Sequence, residues 1–144
     1  MMRTIITKIR WASAGAALAV ACAPWIGAAS RAAEVGVETK RVATETLSNV
    51  PGKKLTAIVV NYAPGGKSGA HRHAGSVFAY VLSGAIRSEN SATGPARVYK
   101  AGESFFEPPG SRHLVSENAS AKEPARLLAI FVADDGAQLT TFDK

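Results

Sequence analysis

A chain of 144 residues with 47% apolar content has room for one globular domain with a packed core. Its formal charge of +6 and pI near 9.8 invite a nucleic-acid role, but Arg3, Lys8, Arg10 and Arg31 all lie in the first 33 positions; the rest carries 13 basic and 11 acidic residues, a balance of +2. The remaining basic residues stand singly or in pairs such as Lys40-Arg41 and Lys53-Lys54, the pattern of solvated surface charge, so a nucleic-acid partner is not expected.

Residues 1–33 read as an export signal rather than as part of a fold. Met1 to Arg10 is basic, Ala14 to Ala23 is apolar, and small residues from Gly27 to Ala32 offer several cleavage points. The apolar stretch is broken by Pro24 and is shorter than the roughly 20 residues that a spanning helix needs. Cys22 raises lipid modification as another reading, against which stands Ala19 where a leucine is usual. The expectation is a cleaved signal over 1–33 and one mature domain over 34–144, periplasmic or secreted, with no stable membrane insertion. Because Cys22 is the single cysteine, that domain has neither a disulfide nor a thiolate ligand.

From Glu34 to about Lys40 the sequence is polar and is expected to be loosely held. Beyond it, short apolar or β-branched runs alternate with turn residues and no long helical period occurs, which predicts an all-β domain. The expected strands are Val42–Leu47, Leu55–Ala63, His71–Leu82, Ala85–Glu89, Ala96–Tyr99, Ser104–Glu107, His113–Ser116, Leu127–Val132 and Leu139–Phe142. Pro51-Gly52, Pro64-Gly65-Gly66, Ser83-Gly84, Thr93-Gly94-Pro95, Ala101-Gly102, Pro108-Pro109-Gly110 and Asp134-Asp135-Gly136 supply the turns between them. Strands at such even spacing fit a sandwich or a barrel.

His71, His73 and His113 are the whole histidine supply. The first two are two residues apart in an expected strand, so they share a face and can share a ligand. A metal site needs a further donor from elsewhere in the fold, and His113, following Pro108-Pro109-Gly110-Ser111-Arg112, is the candidate.

The surroundings of these histidines resemble the two motifs of the cupin superfamily. Gly65, five residues, His71-Arg72-His73, and then Gly84 follow the first motif, with Val77 where that motif carries a metal-binding Glu. Gly102, five residues, Pro108-Pro109-Gly110, two residues and His113 follow the second, with Asn118 one place later than the commonest spacing. The resemblance implies a double-stranded β-helix (jelly-roll) barrel, often dimeric, with a divalent transition metal on His71, His73 and His113. Iron is the first candidate, with zinc, manganese, nickel and copper as alternatives for the same imidazoles.

Valine cannot bind a metal, and position 77 shares the parity of 71 and 73. Three readings stay open. The site is a three-His centre, similar to that of cupin oxygenases acting on thiols or diketones; or it binds metal weakly; or a carboxylate from another strand, such as Glu107, completes the set. Phe78 and Tyr80, of opposite parity, are expected in the core or at a subunit interface, and Arg72 in solvent or at such an interface. One ring of Phe105-Phe106 is expected in the cavity, with Val77, Ala79 and Val81 sharing its apolar lining. The functional expectation is an exported, metal-dependent, Fe-type oxygenase acting on a small, partly apolar organic molecule. A non-catalytic binding module and a metal-independent isomerase or cyclase are the alternatives.

Overall fold

The computed structural model describes residues 34–144; the export signal expected over 1–33 lies outside them. Ten strands and no helix are present among the described residues: β1 (Val35–Thr46), β2 (Lys53–Ser68), β3 (His71–His73), β4 (Ser76–Ser83), β5 (Ala85–Asn90), β6 (Gly94–Lys100), β7 (Ser104–Glu107), β8 (Arg112–Asn118), β9 (Ala125–Asp134) and β10 (Thr140–Phe142). Every pairing is antiparallel.

The ladders run in two series. One is β1-β2-β9-β4-β7 and the other is β10-β3-β8-β5-β6. The far end of β2 joins them, pairing Lys67 and Ser68 with Glu117 and Ser116 of β8. The result is a nearly closed jelly-roll barrel, as the sequence implied.

Period-two patterning builds the core. In β4, Val77, Ala79 and Val81 face inward while Phe78, Tyr80 and Leu82 face out. In β9, Ala125, Leu127, Ala129, Phe131 and Ala133 do the same. Tyr62, Ala79, Val81, Ile86, Ala125 and Leu127 form one cluster, and Val77, Ala129 and Phe131 a second beside it. Burying a side chain such as Val81 or Ile86 contributes about 1.5–3 kcal/mol.

Three expectations are corrected. The stretch from Glu34 to Lys40 is not loose, because from Val35 onward it belongs to β1, in register with β2. β1 is an edge strand with mostly exposed side chains, so ladder hydrogen bonds rather than burial hold it, and its polar composition conceals it. Pro64-Gly65-Gly66 is not a turn between strands but a bend within β2, where the register with β1 shifts. Gly65 has φ of +68°, and a Cβ on Gly66 would lie 2.6 Å from the Gly36 carbonyl oxygen. Finally, His71–Leu82 is two strands, split at Ala74-Gly75. A Cβ on Gly75 would meet the Val132 carbonyl oxygen at 2.1 Å, so only glycine fits the crossing. The break is two residues long, and Val77 therefore keeps the inward parity of the histidines.

Candidate metal centre

The two ladder series bring the three histidines together. His71 and His113 are direct register partners on β3 and β8, and His73 lies two residues along β3 on the same face. All three are buried, and one ring nitrogen from each lies within 4.8 Å of the others. The Pro108-Pro109-Gly110 turn fixes the approach of β8: Gly110 takes φ of +72° and its N–H donates to the His73 carbonyl.

Hydrogen bonds set the tautomers. His71 Nδ1–H donates to the Gly69 carbonyl at 2.7 Å, and His73 Nδ1–H to the Leu139 carbonyl at 3.0 Å, with Thr140 Oγ1 at 3.2 Å. Each ring is thereby left with a lone pair on Nε2, the arrangement in which a metal-binding histidine is held by a partner on its other nitrogen. Burial pushes the His71 imidazole down to about 4 and lowers His73 as well, so both are neutral at neutral pH. His113 contacts Ser88 Oγ through Nε2 at 2.8 Å.

The third face of the cluster holds Glu107. It is buried, opposite Val77 in the β4–β7 ladder. Oε2 lies 3.0 Å from His113 Nδ1 and accepts a hydrogen bond from Asn90 Nδ2 at 3.2 Å; Oε1 lies 3.9 Å from His73 Nε2. Burial by itself would raise the Glu107 carboxyl, but the contact with His113 and the nearby imidazoles outweigh it and hold the group below its ordinary range.

His113 Nδ1 is at hydrogen-bond distance from this carboxylate yet out of line with it, and is a buried polar atom with no hydrogen-bond partner. The Ser88 hydroxyl can accept a proton held on Nε2, and in that tautomer Nδ1 offers a lone pair beside the carboxylate and two further imidazole lone pairs. Such a concentration of donors fits a cation, and orphaned buried polar atoms are rare otherwise. The residues present therefore fit a divalent transition metal.

The centre opens into a cavity of 530 Å³. Ile58, Val60, Val77, Leu127, Ala129 and Phe131 form its apolar wall; Ser68, Tyr62, Ser116, Gln138, Thr140 and Thr141 supply polar groups. Glu34 and Glu107 are the acids on its wall, and among the described residues no lysine or arginine lines it. Tyr62 and Ser116 share a hydrogen bond of 2.7 Å, and burial raises the Tyr62 phenol, keeping its proton on.

Of the other residues singled out in the sequence, Val77 does line the cavity, whereas Ala79 and Val81 pack in the core beside it. Phe105 turns inward against Tyr99, with its ring 6.0 Å from His113, and Phe106 is exposed. Neither phenylalanine lines the cavity, because the inward place nearest the histidines belongs to Glu107. Asn118 closes the loop after β8, donating to the carbonyls of Ala63 and Glu123. Arg72 is exposed and pairs with Asp143, a contact that the sequence did not disclose. Ser88, Asn90, Tyr62 and Thr140 were also missed; the first two betray themselves only as polar residues at the inward positions of β5.

Residues 58–131, just over half of the chain, match the Cupin_2 family, described as the cupin domain. No curated protein matches the sequence. Among solved structures, oxalate oxidase in complex with glycolate is similar at 21% identity and a TM-score of 0.57, covering 74% of this chain and 55% of the other. KdgF from Halomonas sp. is similar at 23% identity and a TM-score of 0.54, over 67% of this chain and 78% of that one. The DMSP lyase DddQ from Ruegeria pomeroyi DSS-3 is similar at 22% identity and a TM-score of 0.52, over 61% of this chain; the match spans only 42% of the lyase. At these identities the likeness is one of fold. The matched segment contains both histidine motifs and the strands that carry them, and on that match the chain belongs to the cupin family.

Proposed function

We propose that this protein is a metal-dependent cupin enzyme of the oxygenase type, with His71, His73 and His113 as ligands of a divalent transition metal, iron first. The observation that carries the reading is the buried, partnerless Nδ1 of His113 facing the lone pairs of His71 and His73 in a cavity. When bound, such an ion supplies a Lewis-acidic and redox-active centre at which substrate and O₂ can meet. The chain's own groups do the rest. The Gly69 and Leu139 carbonyls hold the rings in place, the wall of Val60, Leu127 and Phe131 excludes water, and Tyr62 with Ser116 offers a hydrogen-bonding seat for a polar end of the substrate. A cavity of this size and mixed lining suits a small, partly apolar molecule bearing an oxygen or sulfur donor.

A second reading has its own support. The Glu107 carboxylate beside His113 is a carboxylate–imidazole pair of the kind used for proton transfer, which favours metal-independent isomerase or cyclase chemistry.

The separating experiment measures O₂ uptake by anaerobically Fe(II)-loaded protein offered a panel of small thiols and β-diketones. The expected result is uptake with one class, lost together with bound iron in His113→Ala. Stabilisation by a panel compound without uptake would make the protein a binding module. Turnover that survives metal stripping would favour the acid–base reading.

The same proposal places the domain outside the cytoplasm, on the strength of residues 1–33, and pairs it with a second copy of itself through the outer face of β4 and β7. There Phe78 is paired in register with Phe106, and Tyr80 and Leu82 continue the exposed apolar surface up to a sheet edge.

A further inference from the structure

Glu107 is a buried carboxylate with which, among the described residues, no lysine or arginine pairs. Its exposure is 3%, and its hydrogen-bond donor is the neutral amide of Asn90. The other groups at its oxygens are His113 Nδ1 and His73 Nε2, and the His73 ring, which donates Nδ1–H to Leu139, turns a lone pair toward the carboxylate. An ionised carboxylate taken out of water needs a countercharge, and facing lone pairs aggravate that need. Donors bound to one first-row ion at about 2.0–2.2 Å lie about 2.8–4.4 Å apart. Each carboxylate oxygen meets one imidazole nitrogen within that interval, Oε2 at 3.0 Å from His113 Nδ1 and Oε1 at 3.9 Å from His73 Nε2.

Resting on the metal-centre reading above, we propose that Glu107 is itself a ligand of the metal, donated from β7 at the position directly across the ladder from Val77. Position 77 lies on β4, and Glu107 is its register partner with its side chain on the same inner face. A carboxylate on either strand therefore reaches the same cavity. Asn90, on β5 and paired in the ladder with His113, is then a positioning residue that orients Oε2. The chemical consequence is a centre with one unit of positive charge rather than two, which favours neutral or monoanionic donors over dianions. The cavity wall, with two acids and without lysine or arginine among the described residues, has the same preference.

The test is the dissociation constant for Fe(II), and for Co(II) as a spectroscopic probe, measured by competition with a chromophoric chelator on the full chain. Wild type, Glu107→Gln and the transposed double variant Val77→Glu/Glu107→Gln are compared, with circular dichroism and thermal midpoints confirming that each is folded. Glu107→Gln, nearly isosteric, is expected to weaken retention at least tenfold and to shift the Co(II) absorption bands. Orienting partners of a ligand can cost about 10–100-fold too, so the transposition decides between the two roles. Val77→Glu/Glu107→Gln is expected to regain most of the lost affinity, because a glutamate on β4 can replace a ligand but cannot replace a group that orients His113 from β7. Retention in Glu107→Gln equal to wild type overturns the inference, as does a folded double variant that regains nothing. A wild type that takes up no metal overturns the metal-centre reading itself.

Discussion

At each histidine the ring nitrogen turned away from the cavity decides what the other one offers. His71 and His73 spend Nδ1–H on backbone carbonyls, and His113 sets Nε2 against Ser88. Replacing Ser88 with alanine is expected to cost about 1–3 kcal/mol through the unsatisfied buried nitrogen and to weaken metal retention about 10–100-fold; denaturant unfolding and chelator competition check the two. Retention equal to wild type would show that Ser88 does not orient the ring. Tyr62→Phe, which removes the bond to Ser116, is expected to cost about 1 kcal/mol without changing metal content. The histidines and their shared face were legible in the sequence because strand parity and the motif spacing fix both. Ser88 and Asn90 were not, since Arg87 and Glu89 between them are polar too and no apolar alternation marks the inward side. Glu107 was ambiguous because Pro108 ends its strand and leaves the direction of the last side chain open.

Among the elements, β10 has an influence out of proportion to its three residues. It pairs with β3 so that Thr141 faces Arg72, and it places Leu139, Thr140 and Phe142 against His73 and His71. Asp143 then ties the strand down, accepting from Arg72 at 3.1 Å and from Arg112 Nε at 3.0 Å. Arg72 separates the two histidines of β3 and Arg112 precedes His113, so one half-buried carboxylate links the strands that carry all three. Its hydrogen bonds to Arg112 and then to Arg72 hold the Asp143 carboxyl below its ordinary value. A group depressed in this way stabilises the fold above its unfolded-state pKa and loses that contribution as pH falls through its folded-state value. Asp143→Asn is therefore expected to be less stable than wild type at neutral pH, with the difference closing in strong acid. A gap independent of pH in denaturant titrations would contradict this. The sequence showed the strand at Leu139–Phe142 but not its clamp, because pairing of distant charges depends on which strands become neighbours. Likewise β1 and the β3–β4 break hinge on an edge position and on close backbone approach at Gly75, neither of which leaves a hydrophobic period to read.

At the scale of the whole molecule, the barrel leaves large apolar side chains on its outer surface. Phe106, on the edge strand β7, is 48% exposed and its register partner Phe78 on β4 is 44% exposed. An uncovered apolar face of that kind at a sheet edge calls for a partner. Sedimentation of the mature domain is expected to give a dimer, and Phe78→Lys/Phe106→Lys a monomer; a monomeric wild type would leave those side chains unexplained. An all-β sandwich or barrel was legible because most of its turns are written in Gly and Pro at even intervals, and the resemblance of the histidine motifs to cupins narrowed it to a barrel. What the cavity receives was not, because its wall is assembled from β1, β2, β3, β4, β7, β8, β9 and the C-terminal strand, and it acquires its chemistry only when they meet. Metal binding by His71, His73 and His113 is open to elemental analysis of untagged mature protein, set against a His71→Ala/His113→Ala control. Near-stoichiometric transition metal in wild type and none in the control is the predicted result. A wild type that carries no metal, and takes up none when reconstituted anaerobically with Fe(II) or with other divalent ions, would contradict it.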